Sequence, residues 1–236
     1  MTNGYKKPNL KSLYFDDEVQ KISSLQGKTI AITGTTTGIG FVAARTVANK
    51  GARAVLLNRK SERSKSSYHQ LKKENPGANI VNIECDLQSF DSVRKAALRV
   101  IDLCQDGLDS LCNNAGIMAL KDEATVDGFD VQMQTNHLSH FLLTKELLPL
   151  LKTAAELRGD ARVVNHSSIA RYGDKKLKTK YFDKRGGDLG GDGSNMILAS
   201  LTRKGRWARY SQTKLANATF TACLHEKFQN AGLHSL

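Results

Sequence analysis

Tyr210 and Lys214 stand four residues apart in ARYSQTKLANATF, the stretch from Ala208 to Phe220. On a helix that spacing puts both side chains on one face. A phenol held beside an ammonium can give up and regain a proton, because the cation favours the phenolate. Such a pair suits acid/base work. The pattern is also common on purely structural helices, so it gains meaning only in company.

A second group lies near the start of the chain. KTIAIT (28–33) is short, apolar and rich in β-branched residues, and it runs straight into TGTTTGIG, Thr33 to Gly40. A helical pattern, FVAARTVANKG, follows. Gly34, Gly38 and Gly40 are spaced G-x-x-x-G-x-G. Glycines between a strand and a helix let the backbone turn tightly and approach a pyrophosphate, while the helix start offers free N–H groups and a positive dipole end. The next strand ends in NRK, Asn58 to Lys60. An acid there would bind a ribose 2′-hydroxyl, as in NAD sites. The acid is missing, and Arg59 can instead grip a 2′-phosphate with a charge-assisted fork. NADP(H) is therefore the preferred cofactor and NAD(H) is left open. The bland alternative makes Arg59 and Lys60 solvated charges at a helix entry.

These groups need a scaffold. Strand-like runs at 28–33, 53–58, 79–85, 108–113 and 161–167 alternate with helical periods. The clearest period is Val93, Ala96, Ala97, Val100, Ile101 and Cys104. A second runs from His137 to Leu151, and a third from near Tyr210 to about Asn230. Apolar strands alternating with amphipathic helices indicate an α/β fold whose parallel sheet is covered on both faces. Residues 171–206 break the rhythm: they are Gly-rich and basic, and read as a long insertion loop with one short helix. Its GGDLGGDG run (186–193) reads as a flexible loop rather than a calcium site. Its cations, Arg171, Lys175, Lys176, Lys178, Lys180, Lys184 and Arg185, read as a solvated border of the substrate mouth.

Composition narrows the classes. The chain has 236 residues, 40% hydrophobic and 25% charged, enough to bury a core. Its net charge of +12 attracts anions. No recognition helix or stacking platform accompanies the charge, so no nucleic-acid partner is expected. Cys85, Cys104, Cys112 and Cys223 form no C-x-x-C pair and read as reduced thiols. His137, His140 and His166 lack ligand spacing, so no metal is expected. There is no apolar run of about 18 residues and no signal-peptide pattern. The location expected is cytoplasmic, with an organelle or peripheral membrane contact left open. Residues 1–25 read as a polar leader with one short helix, and 26–236 as one nucleotide-binding domain.

Three further stretches complete a set: NNAG (Asn113–Gly116), Asn136 opening NHLSHFLLT, and VVNHSS (Val163–Ser168). With TGTTTGIG before them and Y-x-x-x-K after, the chain resembles the short-chain dehydrogenase/reductase family over residues 26 to 232. The insertion and YSQTKLANATFTACL are similar to the subgroup of retinol dehydrogenases, WW-domain-containing oxidoreductase and light-dependent protochlorophyllide reductase. The resemblance implies a doubly wound Rossmann-type sheet and a hydride transfer between the nicotinamide and an alcohol/carbonyl substrate, by analogy a lipophilic one. It assigns Tyr210 as acid/base, Lys214 as its partner, Ser168 as the donor to the substrate oxygen, and Asn136 as holder of a proton-relay water. It assigns Gly34, Thr36, Thr37, Gly38, Ile39, Gly40, Asn58 and Arg59 to the cofactor, along with Asp86 and Leu87 beside the adenine. Asn113, matching the residue that steadies the central sheet beside the cofactor, completes the cofactor set with Ala115, Gly116, Tyr210 and Lys214. It also implies pairing into a dimer or tetramer through the helices at 137–151 and 210–230.

The family's sheet continues beyond the Tyr/Lys helix, yet this sequence stops at Leu236. The expected strand order is thus 3-2-1-4-5, with the sixth and seventh strands missing and the fifth left as an edge. The expectation is a fragment of a longer protein rather than a naturally shortened form. A different class stays in view: a cofactor-binding but catalytically weak regulatory or scaffold relative.

Overall fold

A computed structural model describes residues 14–184, Leu189 and residues 205–236. Helix α1 (Phe15–Lys21) is the short helix expected in the leader, and it buries no side chain. The chain then alternates β1 (Thr29–Thr33), α2 (Gly38–Asn49), β2 (Arg53–Asn58), α3 (Glu62–Glu74), β3 (Ile80–Glu84), α4 (Phe90–Leu103) and β4 (Ser110–Asn113). A short turn α5 (Val131–Met133) and a π-wound turn (Gln134–Leu138) lead into α6 (Ser139–Arg158). Strand β5 (Ala161–Asn165), helix α7 (Arg206–Phe228) and strand β6 (Leu233–Ser235) follow.

The sheet is parallel throughout, in the order β3-β2-β1-β4-β5-β6. Every residue of β1 is buried because both faces are covered. Ala31 faces one core with Val55, Leu57, Val93 and Leu111. Its neighbours Ile30 and Ile32 face the other with Ala44, Ala54, Leu56 and Leu71. Helix α4 turns Val93, Ala96, Ala97 and Val100 inward, the stripe the sequence pattern marks. The helix expected to end at Leu151 continues instead to Arg158, since Ala154 and Ala155 extend its buried face until Gly159 stops it at φ 77°.

One expectation is corrected. The sixth strand is present, short as it is. Leu233, His234 and Ser235 pair with Ala161, Arg162 and Val163, so β5 is not an edge there. Leu233 is buried against the sheet, and the Leu236 N–H donates to the Val163 carbonyl at 2.9 Å. Three residues suffice because burying Leu233 and completing the β5 ladder reinforce each other.

Of the insertion, residues 171–184, Leu189, Gly205 and Arg206 are described. They include short 3₁₀ turns at Ile169–Gly173 and Thr179–Tyr181. The short helix expected within 171–206 and the Gly-rich run 186–193, apart from Leu189, lie outside the described residues, as does Arg185. Leu189 itself packs against Met133 and Tyr181.

Candidate active site

Strand β1 hands the chain to β2 on one side and pairs with β4 on the other. The two crossovers leave in opposite directions, and a cleft opens at the carboxyl ends of the strands. Its volume is ≈ 810 Å³. Among the sequence candidates, Gly34, Thr36, Thr37, Ile39, Gly40, Asn58, Arg59, Asp86, Leu87, Ala115 and Gly116 line it.

The glycine loop is shaped by contacts that only glycine allows. Gly34 has φ +70°, and a Cβ there would come within 2.8 Å of the Ala115 Cα. The close approach joins the loop to the end of β4. Gly38 opens α2 at φ +61°, and a Cβ there would meet nothing within 4 Å. The open face lies at a helix start, where free N–H groups suit a phosphate.

Asn58 does more for the loop than for the cleft. Its Oδ1 accepts from the Thr35 N–H and its Nδ2 donates to the Thr35 hydroxyl, each at 2.8 Å. Asn113 lies just outside the cleft lining. Its side chain donates to Thr144 Oγ1 and Asn165 Oδ1, tying β4 to α6 and β5. The cleft-facing asparagine is the next one, Asn114, which donates to the carbonyls of Thr33 and Gly34. Asp86 accepts from the Gln88 N–H, closing a small turn. The Leu87 carbonyl receives the Ser139 hydroxyl at 2.6 Å.

Beyond the end of β2, Arg59 is joined in the lining by Ser61 and Arg63, whereas Lys60 is not part of it. Ser61 also caps α3, accepting from the Ser64 N–H. Arg63 was legible only as four residues past Arg59 on a helix whose start the sequence did not fix. Two guanidinium groups, an open glycine turn and this volume together fit a phosphorylated dinucleotide.

The four catalytic candidates Asn136, Ser168, Tyr210 and Lys214 are not among the cleft-lining residues, but Asn136 stands directly behind two that are, Gly116 and Ile117. It sits in the π-wound turn, a feature that tends to occur at functional positions. Its Oδ1 accepts from the Ile117 N–H, and its Nδ2 donates to the Ile117 carbonyl and Thr213 Oγ1. A Cβ on Gly116 would stand 3.5 Å from Asn136 Oδ1 and 3.6 Å from Lys214 Nζ, so these three groups converge. Lys214 Nζ donates to the backbone carbonyl of His166, a cleft residue, at 2.9 Å. Burial pushes the Lys214 pKa down to about 8. Its ammonium lies 5.6 Å from the centre of the Tyr210 ring.

Ser168 and Ser167 separate in role. Ser167 donates its hydroxyl to the Lys214 carbonyl and is committed to α7. Ser168 caps the turn Ile169–Gly173, accepting from the Ala170 N–H at 3.2 Å, which leaves its own proton to donate. Helix α7 starts at Arg206, ahead of the expected position, with Trp207 edge-on to Tyr210 at 6.3 Å. Between them lies Arg209, with no exposed surface, ion-paired to Asp130 at 3.2 Å and Asp122 at 3.6 Å. This anchor was not legible beforehand, because an arginine beside Tyr210 reads as a surface charge. No His/Cys/Asp/Glu group among the described residues could hold a metal ion. No helix among them is long and apolar enough to cross a membrane.

Fold and cleft together define a Rossmann-type nucleotide-binding domain. The chain belongs to the short chain dehydrogenase family, whose model matches residues 28–181. It is 38% identical over 217 residues to an uncharacterized oxidoreductase of Schizosaccharomyces pombe, covering 91% of this chain and 60% of that one. It is 32% identical over 211 residues to human retinol dehydrogenase 13, covering 89% and 57%. The chain thus spans between 57% and 60% of the length of these relatives. A crystal structure from Mycobacterium paratuberculosis matches with TM-score 0.70 and 33% identity over 92% of this chain and 68% of that one. The Pseudomonas aeruginosa RhlG/NADP complex matches with TM-score 0.64 and 26% identity over 89% and 69%.

Proposed function

We propose that this protein is an NADP(H)-preferring oxidoreductase that interconverts an alcohol and a carbonyl on a lipophilic small molecule. The observation that carries the reading is the convergence of Gly116, Asn136 and Lys214 at the end of a glycine-lined cleft, with Tyr210 one turn from Lys214. Arg59 and Arg63 favour the 2′-phosphate. The cofactor, when bound, supplies or accepts the hydride.

In the direction of reduction, Tyr210 gives its proton to the substrate oxygen, and Ser168 donates a hydrogen bond to that oxygen as charge develops. The Lys214 ammonium stabilises the phenolate left behind. The His166 carbonyl fixes where that ammonium sits, and Asn136 holds the cleft wall at Ile117. Met118, Leu120, Ile169 and Tyr172 are exposed apolar groups beside these residues in sequence, and suit a lipophilic substrate. The names of the retinol dehydrogenase relatives point the same way. Pairing through the faces of α6 and α7 remains part of the proposal.

The test is oxidation of NADPH, followed by absorbance, with a panel of long-chain and retinoid aldehydes. Turnover that prefers NADPH to NADH supports the reading. No oxidation with any aldehyde, under conditions where NADPH binds, contradicts it.

A further inference from the structure

Thr33 closes β1, and three groups reach its hydroxyl oxygen. The backbone N–H groups of Asn114 and Ala115 donate to it at 3.0 and 2.9 Å. His140 Nε2 lies 2.9 Å away. A hydroxyl has two acceptor lone pairs and one proton. With both lone pairs taken, the Thr33 proton goes to His140 Nε2, since the rival acceptor, the Cys112 carbonyl, is at 3.4 Å. Nε2 is then an acceptor, and the ring's own proton sits on Nδ1. That position also requires it, because Nδ1 lies 3.0 Å from the Asn136 carbonyl, which can only accept.

One tautomer therefore satisfies every member of the network. His140 is 2% exposed. Burial, reinforced by Lys214, His137 and His166 nearby, pushes its pKa down to about 4, so the ring stays neutral near neutral pH. The two ends of the ring serve different parts of the cleft. Asn114 and Ala115 line it beside the glycine loop, while Asn136 belongs to the end with Lys214.

We propose that His140 is a positioning residue that couples the two halves of the site. Through Nε2 it fixes the Thr33 hydroxyl that holds Asn114 and Ala115, and through Nδ1 it fixes Asn136. The Asn136 arm rests on the proposed catalysis and the NADPH readout of the Thr33 arm on the proposed cofactor, whereas the ring tautomer rests on neither.

The two arms can be cut separately. In His140→Asn, the amide nitrogen occupies the place of Nδ1 and keeps the Asn136 tie, but nothing reaches Thr33. In His140→Gln, the amide oxygen reaches toward Thr33 and the Asn136 tie is lost. NADPH affinity is read by fluorescence titration and kcat by aldehyde reduction at saturating NADPH. His140→Asn is expected to raise the NADPH Kd about tenfold with kcat held within about twofold, roughly the loss of one hydrogen bond. His140→Gln is expected to lower kcat about tenfold with Kd held within about twofold. A purely structural role would lower both quantities together. Parallel losses, the opposite split, or no change would each overturn the proposal. If the variants do not fold, nitrogen NMR of the unmodified protein decides. A ring protonated at Nδ1 and bare at Nε2 supports the coupling, and the reverse tautomer or an imidazolium near pH ~7 overturns it. If no aldehyde is reduced, the functional reading fails, and the Kd and the tautomer still test the Thr33 arm.

Discussion

Lys214 Nζ and the His166 carbonyl stand 2.9 Å apart, joining the middle of α7 to the end of β5. Asn217 donates to the same oxygen at 3.0 Å, and its own Oδ1 lies 3.0 Å from His137 Nδ1. A buried ammonium is thus held by a fixed carbonyl, at a cost in solvation that shows in its lowered pKa.

That cost gives a pH signature. The Lys214 pKa falls from 10.5 to about 8. Below about 8 the lysine is charged in both folded and unfolded states, and the solvation penalty weighs fully on the fold. As pH rises from there through 10.5, the unfolded chain holds more protons and the penalty is relieved. Lys214→Met is expected to lose turnover by more than ~100-fold. It should also be more stable than the parent at neutral pH, by at most about 3 kcal/mol. Urea unfolding at neutral and alkaline pH should show this advantage shrinking as pH rises. A constant or growing advantage would mean that Lys214 carries no solvation penalty.

Arg59 and Arg63 both line the cleft at the end of β2. Replacing either with Ala is expected to weaken NADPH by about tenfold or more, the scale of a charge-assisted hydrogen bond, with NADH changed little. Isothermal titration with both cofactors checks it. Equal weakening of the two would show that neither arginine reads the 2′-phosphate.

Much of this site could be read from residue order, and the reasons for the exceptions are physical. The strands, α4 and the glycine loop follow from local periodicity and from Gly34 and Gly38, where only backbone freedom matters. Asn58 was harder, because a polar residue at a strand end can face a ligand or a neighbouring loop, and only packing decides. Thr33, His140 and Arg209 were missed as working parts. Their partners, Asn114, Asn136 and Asp130, are distant in sequence, and no period connects them. The sixth strand was hidden for a similar reason: three residues carry no pattern of their own, and β5 supplies the ladder.

Arg209 is enclosed, with Asp130 and Asp122 beside it. Arg209→Met is expected to cost roughly 3–5 kcal/mol, because breaking a buried pair leaves charge without compensation. Burial already raises the Asp130 pKa, and Arg209 acts against that rise. Without the arginine it should climb further, so the variant regains stability as acid neutralises Asp130. Thermal unfolding at neutral and mildly acidic pH would show the deficit narrowing on acidification. A deficit that widens would contradict the assignment.

Gly34 and Gly77 separate strain from contact. Both have positive φ, +70° and +83°, but a Cβ at Gly34 meets the Ala115 backbone at 2.8 Å while one at Gly77 meets nothing within 4 Å. Gly77→Ala is expected to cost about 1 kcal/mol and leave NADPH affinity intact. Gly34→Ala should cost about 1–3 kcal/mol or more and weaken NADPH by over ~10-fold, because the loop must move. Equal behaviour of the two would mean that the loop's approach to β4 does not shape the cleft.

The central claim is that Tyr210 exchanges the proton. Its most direct test is Tyr210→Phe, with NADPH binding and aldehyde reduction measured on the same preparation. The account expects turnover to fall by at least ~1,000-fold while the NADPH Kd changes by less than about threefold. Turnover within about tenfold of the parent would contradict it and move the acid to another group.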